Sequence, residues 1–194
     1  IRGLGNQSPS RTERFLDEAR AAAKLSHPGI VSVYDVGIDE GQYWFTCDFI
    51  EGAPLSQRME SPWNPSDAAR LVRDIALALQ CAHTANIIHR DIKPANVMVG
   101  EYGETYLLDW GVATRLENIV EDDNRIWGTP AYMAPEMASG KTVSPETDVF
   151  LLGSCLHEIL TGFPRYRGRV HGPGTTFESR LSGCGLRRVV ACNA

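Results

Sequence analysis

Residues 89–111 read HRDIKPANVMVGEYGETYLLDWG, a stretch that spaces four groups as transfer of a phosphate to a hydroxyl requires. Asp91 can take a proton from the hydroxyl and Lys93 can neutralise the moving phosphate, while Asn96 and Asp109 can share the cation that bridges the phosphate oxygens. Asn96 is followed by the apolar run Val97, Met98, Val99, Asp109 is preceded by Tyr106, Leu107, Leu108, and GEYGET between them is rich in turn residues. This pattern predicts an antiparallel hairpin. Pairing Val97 with Leu108 would place Asn96 opposite Asp109, with Cβ atoms about 5 Å apart. Two oxygen ligands at facing strand ends, with water and phosphate completing the shell, suit Mg²⁺. Each residue alone has an ordinary structural explanation; the conjunction carries the reading.

Outward from this stretch the periodicities alternate. Upstream, Ser10 and Glu13 have capping-box spacing, and Phe15, Leu16, Ala19, Ala22 and Ala23 recur on one face of a helix that stops at His27, Pro28, Gly29. Strand-like runs at 30–36 and 43–50 are separated by Asp39, Glu40 and Gly41, which predicts a hairpin, and Glu51 and Gly52 are expected to end that sheet. A second helix opens at Asn64 and Pro65 and presents Ala68, Leu71, Val72, Ile75, Leu79 and Ala82 as its apolar stripe. A third starts after Ser144 and Pro145, runs from Asp148 through Leu160, and meets a C-cap glycine at Gly162.

With these residues in view, a family resemblance can be stated. HRDIKPAN resembles the catalytic loop of protein kinases, DWG their metal-binding DFG signature with Trp110 in place of Phe, and GTPAYMAPE the end of their activation segment. The pattern is similar to bacterial eukaryote-like serine/threonine kinases over roughly residues 12–164. It implies an α+β, two-lobe protein-kinase-like fold: a small-lobe remnant at about 1–52 lacking the first strands, and an incomplete, mainly helical large lobe at about 53–164. It implies Asp91, Lys93, Asn96 and Thr129 as catalytic residues, with Thr129 bonding to Asp91 and Lys93. Nucleotide contacts would come from Glu18 on the small-lobe helix, from Asp48, Phe49 and Ile50 in the hinge after gatekeeper Cys47, and from Lys93, Met98 and Asp109. Asn96 and Asp109 would bind the metal, ATP and Mg²⁺ would be the cofactors, and a protein bearing Ser or Thr would be the partner. Asp148 resembles the large-lobe aspartate that holds the catalytic loop from beneath.

The sequence departs from that pattern at both ends. The only lysines are Lys24, Lys93 and Lys141, so no strand lysine or glycine-rich loop precedes Glu18. Lys24 follows Glu18 by six residues, outside the usual helical pairing distances, and Arg2 is a poor substitute for a compact ammonium. Residues 165–194 carry 6 Lys and Arg against 1 Asp and Glu, whereas residues 1–164 carry 13 against 23. The last thirty residues, with scattered glycines and no sustained amphipathic face, are expected to form a poorly ordered basic tail outside the family; a tail that grips nucleic acid or an acidic membrane is the alternative. Between Arg115 and Gly128 there is no Ser or Thr but there are Glu121, Asp122 and Asp123, which could meet Arg90 as a phosphorylated residue would.

At 194 residues and 43% hydrophobic content, the chain is long enough for one core. No apolar run approaches a membrane span, since the longest candidate, 149–160, contains His157 and Glu158. Five cysteines without CxxC spacing fit reduced thiols, so a cytoplasmic location without export is expected, and no clear nucleic-acid or membrane binding. The resulting expectation is a protein serine/threonine kinase domain, impaired by the departures above. A catalytically inactive, pseudokinase-like binding or scaffold fragment is the alternative; a small-molecule phosphotransferase is disfavoured by Lys93 together with GTPAYMAPE.

Overall fold

The computed structural model describes residues 23, 25–39, 42–110, 113–116 and 128–166. The predicted helix from Ser10, with Glu18, as well as Lys24, the acidic run 121–123 and the basic tail from residue 167 onward, lies outside the described residues.

Two helices form the base of the described structure. Helix α1 (Pro65–Thr84) starts where the Asn64 Oδ1 accepts the Asp67 N–H at 3.0 Å, with Pro65 supplying a first-turn residue that lacks an N–H to satisfy. Its stripe of Ala68, Leu71, Ile75, Ala78, Leu79 and Ala82 is buried, while Val72 is only partly so. Helix α3 (Pro145–Thr161) follows the short α2 (Pro135–Ala138) and opens with the Ser144 N–H donating to Thr147 Oγ1 at 3.0 Å. It closes at Gly162, whose N–H reaches the Glu158 carbonyl at 2.7 Å. The two helices pack on each other, and the Trp63 N–H ties the entry of α1 to the Ile159 carbonyl of α3 at 3.0 Å.

Among the described residues, seven short strands make three small antiparallel sheets. β1 (Val33–Asp39) pairs with β2 (Gln42–Cys47), with a bulge at Tyr34. β1 therefore begins three residues later than the periodicity predicts, and β2 ends at Cys47, leaving 48–50 as connector. Ile30, expected inside that strand, instead makes a parallel bridge to Leu107. β3 (Gly52–Pro54) pairs with β5 (Val97–Gly100), which pairs with β6 (Thr105–Leu107), and β4 (Ile87–Ile88) pairs with β7 (Thr114–Arg115). Gly52 thus joins a second sheet rather than only ending the first.

The predicted hairpin forms as β5–β6, one residue out of the predicted register: Val97 faces Leu107, Met98 faces Tyr106 and Val99 faces Thr105. Loop parity is the reason. The Gly100 N–H donates to the Glu104 carbonyl at 2.8 Å, which leaves three loop residues, and the third, Gly103, sits at φ 91°. A three-residue hairpin loop needs such a left-handed position before the return strand, whereas the predicted register requires an even loop. Asn96 consequently lies opposite Leu108, whose N–H donates to the Asn96 carbonyl at 2.8 Å, and Asp109 falls one step beyond.

The core gathers around this hairpin and the helices: Leu55, Ile75, Ile88, Ile92, Val97, Leu107, Leu151 and Ile159 are all almost fully buried. At Gly52 two backbones approach closely: a Cβ there would lie 2.3 Å from the Val99 carbonyl oxygen. Gly52→Ala is expected to separate β3 from β5 and to lower unfolding free energy by about 1–3 kcal/mol in urea titrations, the range of overpacked sites.

Candidate active site

The loop between β4 and β5 carries the polar residues, and a buried carboxylate from α3 shapes it. Asp148, fully buried, accepts the His89 N–H on Oδ2 and the Arg90 N–H on Oδ1, both at 2.9 Å, and also bonds His83 Nε2 of α1 at 2.8 Å. Arg90 stands at φ 67°, a conformation that a long side chain seldom adopts. Its bond to Asp148 offsets that strain.

His89 organises the next step. Its ring is buried, and Nε2 lies 3.0 Å from the Leu108 carbonyl, which can only accept, so Nε2 carries the proton. Nδ1 is then the acceptor for the Asp91 N–H at 3.3 Å. The histidine is a spacer between the hairpin and the loop, as a packed core residue would be. Trp110 stacks against it at a tilt of 58°, with ring centroids 4.7 Å apart. The indole Nε1 is buried with no hydrogen-bond partner.

Four of the predicted side chains converge. Lys93 Nζ lies 2.5 Å from Asp91 Oδ2 and donates to Thr129 Oγ1 at 2.8 Å, and the Thr129 hydroxyl donates to Asp91 Oδ1 at 2.8 Å. Asn96, 3% exposed, directs Nδ2 to the Asp91 carbonyl at 2.8 Å and to Oδ2 at 3.1 Å. The carboxylate is held from three sides, and Asn96 keeps its amide oxygen for another donor or a cation. The 3₁₀ turn Pro94–Asn96, closed by the Asn96 N–H on the Lys93 carbonyl at 2.9 Å, brings Asn96 back towards Asp91.

Asp109 is exposed at φ 64°, immediately past the residue paired with Asn96. An amide oxygen and a carboxylate at the end of one hairpin make a sparse, all-oxygen donor set, which fits Mg²⁺ with its retained waters. Among the described residues no group of three His, Cys, Asp or Glu forms a closed metal cage. The predicted nucleotide segment lies between β2 and β3: Asp48 and Phe49 are exposed and Ile50 half-buried, with the Asp48 N–H on the Ser32 carbonyl at 3.2 Å. Asp48 also accepts the Tyr34 hydroxyl. β3 links this connector to the hairpin, setting Pro54 opposite Met98. Glu18 lies outside the described residues.

The model of the protein kinase domain family matches residues 4–178. The chain belongs to the protein kinase family. A probable serine/threonine-protein kinase of Corynebacterium efficiens is 38% identical over 165 residues, covering 80% of this chain and 25% of that protein. Serine/threonine-protein kinase PrkC of Bacillus subtilis is 36% identical over 152 residues, 77% of this chain and 24% of the relative. PknB of Mycolicibacterium smegmatis is 37% identical over 171 residues, 84% and 27% respectively. The chain therefore spans about a quarter of the length of these curated relatives. Sheets and helices together agree with the α+β expectation for a kinase domain.

Two supports of the site are pairings that no local stretch of sequence marks. His83 precedes His89 by six residues and reaches Asp148 from the end of α1; no local pattern marks it. Glu136 accepts the Thr147 hydroxyl at 2.7 Å, a bond from the first turn of α3. Asp148→Ala would leave the His89 and Arg90 N–H groups without their acceptor, and is expected to cost about 2–5 kcal/mol in urea unfolding. His83→Ala, which spares both backbone bonds, is expected to cost about 1 kcal/mol.

Proposed function

We propose that the chain is a protein serine/threonine kinase domain that moves the γ-phosphoryl of ATP to a Ser or Thr hydroxyl of a protein. The observation that carries this is the Asp91 carboxylate gripped by Lys93, Thr129 and Asn96 at 2.5–3.1 Å. In this reading Asp91 orients the incoming hydroxyl and accepts its proton as the new oxygen–phosphorus bond forms and the bond to the β-phosphate oxygen breaks. Lys93 balances charge on the transferring group, and Thr129 ties the segment that receives the peptide to both residues. Asn96 and Asp109 would hold Mg²⁺, which when bound screens the phosphate oxygens. Asp48, Phe49, Ile50 and Met98 would line the nucleotide base, and Glu18 would help orient the phosphates. The finer architecture follows the same reading: a small-lobe portion at about 1–52, a large-lobe portion at about 53–164, and a basic tail from 165.

A cytoplasmic, signalling role is part of this proposal, supported by the ATP chemistry and by thiols such as Cys81 and Cys155 that form no disulfide. Among the described residues no helix is long and apolar enough to cross a membrane.

Radiolabelled transfer from Mg²⁺-ATP to a Ser/Thr protein should fall about a hundredfold or more in Asp91→Asn, the scale of a lost general base. Equal transfer by wild type and variant would overturn the reading.

A further inference from the structure

The connector from β2 to β3 is anchored at both ends. At its far end the Glu51 carbonyl accepts the Glu101 N–H of the hairpin loop at 3.2 Å. At its near end the Asp48 N–H donates to the Ser32 carbonyl at 3.2 Å, and the Asp48 carboxylate accepts the Tyr34 hydroxyl. Ser32 and Tyr34 flank Val33, which pairs with Cys47 at the end of the β1–β2 ladder. One strand end thus holds Asp48 by backbone and side chain at once, and Phe49 and Ile50 stand between the two anchors.

Tyr34 reaches Asp48 because the strand is bulged there. Val33 faces Cys47 and Asp35 faces Thr46, so Tyr34 is the extra residue, and a bulge re-aims a side chain out of the alternation of its strand. Asp35 supports the bulge by accepting the Val36 N–H on Oδ1 at 2.8 Å. The Tyr34 side chain is 69% exposed, so its ring adds little to the core, and its hydroxyl bond to Asp48 is what the position supplies. That bond pushes the phenol up from its ordinary range, aided by desolvation and by the Asp48 charge, so the proton stays on the phenol oxygen across physiological pH.

We propose that Tyr34 is a positioning residue for nucleotide: its hydroxyl fixes the Asp48 end of the connector, so that residues 48–50 meet the adenine base already ordered, while Tyr34 itself touches no ligand. This rests on the kinase reading above, in which Asp48, Phe49 and Ile50 line the base. A binding segment that is rigid before its ligand arrives loses less conformational freedom when it binds. The net contribution of one exposed hydrogen bond limits the effect to about tenfold in affinity.

The test is isothermal titration calorimetry of the 194-residue chain with adenosine and with Mg²⁺-ATP, comparing wild type, Tyr34→Phe, Asp48→Asn, Asp48→Ala and the double variant Tyr34→Phe/Asp48→Ala. Tyr34→Phe should weaken both ligands by the same factor, about three- to tenfold, because the connector meets the base and not the phosphates. Asp48→Asn, which keeps an acceptor oxygen, should weaken them less than Asp48→Ala does, and the double variant should lose no more than Asp48→Ala alone. In the free protein, hydrogen exchange at the Asp48 amide, bonded to the Ser32 carbonyl, should quicken about three- to tenfold in Tyr34→Phe while the α1 amides keep their protection. Wild-type affinities in Tyr34→Phe, a loss confined to ATP, or a loss with unchanged exchange at residue 48 would overturn the proposal and leave the kinase reading standing. A wild type that binds neither adenosine nor ATP would remove the nucleotide role of the connector, and the proposal with it.

Discussion

A single carboxylate away from water organises the site. Asp148 has no solvent to stabilise its charge, so the protein must provide donors, and it does so from three directions: two consecutive backbone N–H groups of the loop and an imidazole of α1. Two consecutive N–H groups converge on this one carboxylate, and the chain then turns away through Arg90 at φ 67°. The loop conformation is thus tied to α3 and α1 at once. Local sequence would leave it loose, but the buried charge does not.

The hairpin is held in a comparable way from both flanks. β3 covers β5 at the close approach permitted by Gly52, and on the other side the Gly29 carbonyl accepts the Leu107 N–H at 2.8 Å. The strands are short, three and four residues, and would be marginal alone. Their packing on Leu55, Ile75 and Ile92 makes them a firm base, while Asn96 and Asp109 emerge at the open end where polar groups can be reached. Apolar support and polar chemistry are separated by only one or two residues.

Much of this was legible in the chain. α1 and α3 declared themselves through Asn64-Pro65 and Ser144-Pro145 at their starts, helical spacing within, and Gly162 at one end, signals that act within a few residues. Asp91, Lys93, Asn96 and Thr129 were identifiable from their motifs, and the structure brings these four together. The hairpin register was not legible, since it hung on whether Gly103 or another loop residue took the left-handed position. Gly52 read as a terminator because its partner, Gly100, is 48 positions away. His83 with Asp148 is a pairing across the fold, invisible to any window along the chain.

Trp110 has one further consequence. Its indole donor is already stripped of water and bonded to nothing, beside the residue expected to hold the cation. Folding therefore loses that N–H's bond to water and regains none, at about 1–3 kcal/mol, a cost that phenylalanine at the same place would not carry. The indole thus gives up stability beside the site where a phenyl ring would give up none.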